Sequence, residues 1–479
     1  MPNVPGCFAG LFRRHRHPQT VAGPSKEPHS SFEKSLPQGG YSACWSNSPQ
    51  SDEFYDGHLP PYSQNHPSDI FRPEVMQTIE DKLDELDSEL RELSLKIHDH
   101  PELMFQERYA HDTLSSYMES QGFHVTPHYL GLETAWRAQF SFGQGGRTIG
   151  VNSEMDALPC GDTKGASHSC GHNLIAVAGV GVAVALKRAL EVHNTTGTVV
   201  LLGTPAEEGG GGKEILLQRG AYKHMDACVM CHPIGNPLSQ KQHLLIGSSL
   251  SLQYIEVEYF GHSAHAGLAP WEGTNALDAA FSAYSNIAVL RQQIKPDCRV
   301  TGVIQGKDNG WVPNIIPDYA KMIWIIRAPT PSELSQLRER VVNCLQAGAL
   351  ATGCKIQMKL GTHNDDLRQN RVLARELASI YKHRYSIPTQ FKGADVGAST
   401  DFGNITYALP GLHPVFSIPS DSANHTEGFA KAARSIEAHK STMLITKGLA
   451  LTAFRVLDDD DFWQKVRADY EQRGPRHEG

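Results

Sequence analysis

Between Val75 and Ile97 the apolar residues Val75, Ile79, Leu83, Leu86, Leu90, Leu93 and Ile97 recur at steps of four and three. That spacing draws one stripe along an amphipathic helix, and Pro73 suits its first turn. Upstream, residues 1–72 are rich in Pro, Ser, Gly, His and Asn without sustained periodicity, which predicts a disordered arm. Downstream to residue 247, short β-rich or apolar runs at 138–142, 148–152, 198–203 and 227–231 alternate with helical segments at 107–121 and 174–192. Strands alternating with helices predict an α/β fold with a mostly parallel sheet covered on both faces.

The grammar changes over residues 248–364. Strand 251–259, helix 275–293, strands 299–305 and 319–328, helix 332–348 and strand 355–360 spell a compact α+β sandwich with an antiparallel sheet. Afterwards 371–385 is again an amphipathic helix and 414–418 a buried strand. The simplest organisation is an α/β catalytic domain (73–247 and 365–455) interrupted by an inserted domain (248–364), with an arm (1–72) and a C-terminal tail (456–479).

Composition narrows the function. A chain of 479 residues, 40% hydrophobic and 20% charged, fits a globular protein of two domains. A net charge of -8 leaves no footprint for nucleic acid or an anionic membrane; the basic cluster Arg13-Arg14-His15-Arg16 reads as a solvated patch. The apolar run 174–186 is too short to span a bilayer. Nine cysteines without a framework point to a reducing, cytoplasmic location. Cys228-Val229-Met230-Cys231-His232 matches a haem-attachment spacing, but as part of a buried strand its cysteines are expected in the core.

The chemically loaded residues fall at the carboxyl ends of predicted strands, where open α/β sheets bind ligands. Strand 148–152 runs into Glu154-Met155-Asp156, strand 199–203 into Glu207-Glu208, strand 227–231 into His232-Pro233, and strand 414–418 precedes Asn424-His425-Thr426. Cys170-Gly171-His172 stands before the apolar helix, whose N-terminus should help hold Cys170 as a thiolate. Thiolate, imidazole and carboxylate are the donors zinc prefers, so these groups together form a candidate metal site, carried most firmly by His172, Glu208 and His232. Within Glu207-Glu208 one carboxylate would bind metal while its neighbour works as a base. Asp156 would orient a ligand histidine.

Taken together, the segments 154–159, 168–173, 203–212, 231–233, 261–266, 314–318 and 424–426 resemble the aminoacylase, carboxypeptidase G and hippurate hydrolase family of zinc peptidases and amidohydrolases. Glu154-Met155-Asp156-Ala157-Leu158-Pro159, the run 170–176 and Ser399-Thr400-Asp401-Phe402-Gly403-Asn404 resemble its aminobenzoyl-glutamate hydrolase and dipeptidase branch. The resemblance covers about 75–455. It implies a zinc-peptidase catalytic domain with an inserted lid that often dimerises. It also implies Cys170, His172, Glu208, His232 and His425 as ligands, Glu207 as general base, His265 polarising the scissile carbonyl, and Asn314 with Arg327 on the product-side carboxylate. Many members carry His where Glu154 stands and a bridging Asp where Cys170 stands, and the segment 160–167 is long for this branch. The expected activity is hydrolysis of the amide bond of small N-acyl amino acids or dipeptides by a metal-activated water. The metal would be zinc, with manganese as the alternative, at one or two ions per subunit of a homodimer. The competing reading is an inactive relative that binds small molecules or a protein.

Overall fold

The computed structural model describes residues 70–160, 165–237, 242–307, 310–391 and 397–474. Most of the expected arm, with its basic cluster, and the centre of the segment 160–167 lie outside the described residues.

The first stripe is built as two helices, α1 (Pro73–Glu85) and α2 (Asp87–Asp99), which meet at Leu86 with ψ near 0°. Leu86 is itself buried, so the apolar face continues through the bend. After α3 (Arg108–Ser120) come β1 (His124–Thr126), β2 (Trp136–Phe142), β3 (Arg147–Glu154) and the small hairpin β4 (Leu158–Cys160) with β5 (Gly165–Ser167). Helix α4 (His172–His193) follows; its residues from His172 to Leu186 are all buried, as expected of a helix apolar all round. The next elements are β6 (Gly197–Thr204), α5 (Gly212–Gln218), β7 (Ala227–Val229), β8 (His232–Asn236) and β9 (Leu244–Ile246).

Residues 251–364 form β10 (Ser251–Phe260), α6 (Ala276–Leu290), β11 (Arg299–Gln305), β12 (Tyr319–Ala328), α7 (Pro331–Thr352) and β13 (Lys355–Asn364). Their sheet has the order β11-β12-β10-β13 and is antiparallel throughout. It owns a separate apolar core in which Trp324, Tyr259 and Ile326 meet alanines of α6 and leucines of α7. The chain then returns through α8 (Arg371–Tyr385), β14 (Thr389–Phe391), α9 (Phe402–Ala408), β15 (Gly411–Leu412), β16 (Val415–Pro419), α10 (Glu427–Ala433), α11 (Ile436–Asp458) and α12 (Asp460–Gln472).

The main sheet runs β1-β2-β6-β3-β7-β15. Its β6, β3, β7 and β15 are parallel, while β1 and β2 join antiparallel at one edge. A smaller sheet, β14-β9-β16-β8, was not expected. It also corrects the strand expected over 227–231. That strand stops at Val229 because the chain crosses to the smaller sheet, where β8 pairs in parallel with β16. His232 therefore opens a strand instead of following one. The expected tail is corrected too: α12 buries Phe462 and Val466, and Asp469 receives the Arg371 guanidinium and backbone N–H.

Candidate metal centre

Cys170 and His172 are set by the entry into α4. Gly171 precedes the helix at φ 82°, and a Cβ there would lie 2.7 Å from Pro233 Cγ, so only glycine suits the turn. His172 is wholly buried. Its Nδ1 lies 3.1 Å from Asp156 Oδ1, while Asp156 Oδ2 accepts the Glu208 backbone N–H at 3.1 Å. One carboxylate thus ties a candidate ligand histidine to the loop that carries a candidate ligand glutamate. A carboxylate at Nδ1 leaves Nε2 as the donor to a cation.

The His232 ring is turned the same way. Its Nδ1 donates to the Pro233 carbonyl at 2.8 Å, which leaves Nε2, 3.3 Å from Cys170 Sγ. Burial pushes the His232 imidazole down to about 3, so the ring is neutral at pH 7. His425, at φ 67°, is held by its backbone N–H on Ser169 O, and its Nε2 lies 3.5 Å from Glu208 Oε1. Beside it Asn424 donates to Pro233 O at 3.1 Å.

Glu207 and Glu208 follow β6 through Ala206, which sits at φ 57°. The Ala206 N–H is received by the buried Glu107, whose other oxygen accepts from Thr134 Oγ1. Burial and the charges of Glu154, Glu208 and Asp401 push the Glu207 carboxyl well above the usual range, against the pull of Lys213. A raised carboxyl is the setting a general base uses near neutral pH.

These donors fit a divalent cation. Cys170, His172 and His232 form one triplet; Cys170, Glu208 and His425 form a second; Glu154, His172 and Glu207 form a third. Within each, the donor atoms lie within 4.8 Å of one another. His172 Nε2, Glu208 Oε1 and Glu154 Oε2 are buried with no hydrogen-bond partner among the described residues, a costly arrangement that a cation would relieve. Against the expected pull of the helix N-terminus, burial and the Glu208 charge raise the Cys170 thiol well above its ordinary value. Burial opposes a charge on His172, yet Asp156 holds that imidazole well above its usual range. A cation would have to displace protons at both positions.

Three of the sequence-derived residues lie on the inserted part. His265 is exposed, and its Nδ1 accepts from the N–H groups of Gly267 and Leu268. Asn314 is exposed beside it, its carbonyl taking the Ala266 N–H. Arg327, on β12, donates to Ser399 Oγ at 2.7 Å, reaching the segment before α9. None of the three belongs to the cation-ready triplets.

Sequence reasoning missed Glu107, Lys213 and the charge role of Asp401. Lys213 Nζ is fully buried, 2.6 Å from both Glu154 Oε1 and Asp401 Oδ1. The signal for it was a lysine directly after Gly209-Gly210-Gly211-Gly212, at the start of a helix that packs inward. Cys228 and Cys231 are buried in the apolar core, as the sequence suggested.

Comparison with known proteins finds relatives in sequence and in fold. Residues 150–449 match the model of peptidase family M20/M25/M40. The chain is 38% identical over 407 residues to a Xaa-Arg dipeptidase of Mus musculus, covering 81% of this chain and 90% of that protein. It is 26% identical over 468 residues to a p-aminobenzoyl-glutamate hydrolase polypeptide of Escherichia coli, covering 83% and 95%. Among solved structures, an aminobenzoyl-glutamate utilization protein from Klebsiella pneumoniae superposes with a TM-score of 0.61 at 17% identity, over 80% of this chain and 99% of that one. A dinuclear metal-binding peptidase of the M20 family from Bacillus subtilis gives 0.58 at 20% identity, over 78% and 99%. The chain belongs to peptidase family M20/M25/M40, and it is a metal-dependent hydrolase of amide bonds.

Proposed function

We propose that the protein cleaves small dipeptides, with those carrying a basic carboxyl-terminal residue as the favoured class, and N-acyl amino acids as secondary substrates. The single observation that carries the reading is the convergence of Cys170, His172, Glu208, His232 and His425 donors beside Glu207. The preference for a basic residue rests on the 38% identity to the Xaa-Arg dipeptidase.

In this reading Cys170, His172, Glu208, His232 and His425 hold one or two divalent ions, zinc in first place and manganese as the alternative. When bound, the cation supplies a Lewis acid for the amide carbonyl and a lowered pKa for a water at the site. Glu207 takes the proton of that water and delivers it to the departing amine. Asp156 holds His172 by Nδ1 and so fixes the direction of its other nitrogen. His265 and Asn314 come from the inserted part, and their exposure suits groups that meet substrate only when the lid closes or a second copy of the chain supplies them. Arg327 would pair with the substrate carboxylate through its planar fork.

A homodimer through the inserted domain is supported by Leu268, Trp271, Phe281, Val289 and Leu350, all large apolar side chains left exposed. A cytoplasmic setting is supported by the described cysteines, all free; no described helix is long and apolar enough to cross a membrane. The test of the function is Glu207→Gln in the metal-loaded protein. Metal content is expected to stay at the wild-type level while turnover of dipeptides such as Ala-Arg falls by about a hundredfold or more. Turnover within threefold of wild type would remove Glu207 as the base.

A further inference from the structure

His172 is claimed by two of the three triplets, and it can serve only one. Its Nδ1 faces Asp156, so a single lone pair at Nε2 is left for a cation. Around that atom stand Glu154 Oε2 at 3.6 Å, Glu208 Oε1 at 3.7 Å and Glu207 Oε2 at 4.0 Å, with Cys170 and His232 completing the other set. From donor types alone, Glu154 is as good a ligand as Glu208.

Lys213 separates the two. Its ammonium lies 2.6 Å from Glu154 Oε1, wholly shielded from solvent, and it is anchored on the far side by Asp401 Oδ1 at 2.6 Å. Asp401 Oδ2 also accepts the Lys213 backbone N–H at 2.9 Å, so the side chain and its own peptide group are gripped by one carboxylate. A buried charge so held is costly to move. An ion placed on Glu154 Oε2 would share a carboxylate with this ammonium, in a dry environment where like charges repel strongly. Among the described residues, the ion-pair partners of Glu208 are the imidazoles of His172 and His425, with no lysine or arginine beside them.

We propose that Lys213 is a positioning residue whose ammonium, clamped between Glu154 and Asp401, takes Glu154 out of the ligand set, so that cations bind only at the two groups sharing Cys170. The inference rests on the metal-dependent reading above and adds a built-in positive charge to the centre. It follows that Lys213 also keeps Glu207 from becoming a ligand, because Glu207 belongs only to the triplet that needs Glu154.

The experiment is metal binding, with no substrate present. The full chain, stripped with chelator, is titrated with Zn2+ and with Co2+. Metal per chain is counted after dialysis, and the Co2+ d–d and thiolate charge-transfer bands are recorded. Glu154→Gln is expected to match wild type in metal count, in Kd within threefold, and in both bands. Lys213→Met frees Glu154, so its d–d bands are expected to shift as a carboxylate enters the coordination sphere; the double variant Lys213→Met/Glu154→Gln should return the wild-type spectrum. A tenfold weaker Kd or a lost equivalent in Glu154→Gln overturns the proposal, as does a folded Lys213→Met with wild-type bands. Should Lys213→Met not fold, the Glu154→Gln titration decides alone. A wild-type chain that takes up no metal overturns both this inference and the functional reading, whereas normal uptake with a Glu154-dependent equivalent overturns this one only.

Discussion

Glu107 is a buried carboxylate that holds the backbone just before the proposed base. It is fully buried, accepts the Ala206 N–H at 2.9 Å through Oε1 and the Thr134 hydroxyl at 2.7 Å through Oε2. Burial and the nearby Asp156 charge raise its carboxyl from 4.5 to about 7, against those two hydrogen bonds. A carboxyl raised on folding binds its proton more tightly in the native state than in the unfolded chain. Its contribution is therefore fully present below the unfolded value of 4.5 and is lost as pH rises through about 7. Between about pH 5 and about pH 8 that loss amounts to roughly 2.5 kcal/mol.

Glu107→Gln removes the titration and keeps the contacts. The amide oxygen can still accept from Ala206, and the amide nitrogen can donate to Thr134, whose hydroxyl is free to reverse its role. The stability of wild type relative to Glu107→Gln should then drift in the variant's favour by about 2 kcal/mol from pH 5 to pH 8. Urea unfolding of both proteins in the same metal state, followed by tryptophan fluorescence, measures that difference, since all other titrations cancel. An unchanged gap between the two proteins at both pH values would refute the reasoning. Glu107→Ala provides the contrast: it orphans the buried Ala206 N–H and should cost about 1–3 kcal/mol at either pH.

Two further outcomes follow from the site and the surface. Cys170→Ser replaces the donor shared by two triplets with a hydroxyl that binds zinc poorly, so zinc affinity should fall at least tenfold and the thiolate-to-Co2+ band should vanish; an intact band would place the metal elsewhere. Trp271→Asp puts a charge on a residue that is 78% exposed and lies in the proposed dimer face; sedimentation velocity should shift from a dimer of the 52.6 kDa chain toward monomer, and a wild-type profile would move the interface off this loop.

Much of the architecture was legible because burial and periodicity agree there. The strands 299–305 and 319–328 and the helix 371–385 have the same limits in sequence pattern and structure. The alternation along β12, with Ala320, Met322, Trp324, Ile326 and Ala328 turned inward, is the period-two signal of a sheet with one covered face. The bend at Leu86 was not legible, because neither proline nor glycine marks it and the apolar stripe passes through unbroken. Nor was the smaller sheet: β9 and β14 are three residues each, too short for any periodicity to register.

The site divides along the same line. Donor chemistry can be read from residue types at strand ends, which brought out His172, Glu208 and His232, while His425 rested more on the family resemblance. What selects among donors is charge brought in from afar. Lys213 meets Asp401 across 188 residues of chain, and Glu107 meets Ala206 across 99. A lysine in a glycine-rich turn reads from sequence as a solvated residue, because lysine is almost never fully buried without a partner. Only the fold reveals that Asp401, the residue just before α9, is that partner. The structure adds a further donor group, Glu154 with His172 and Glu207, to those named from the sequence, and the buried Lys213–Glu154–Asp401 cluster is what would keep that group from taking a cation.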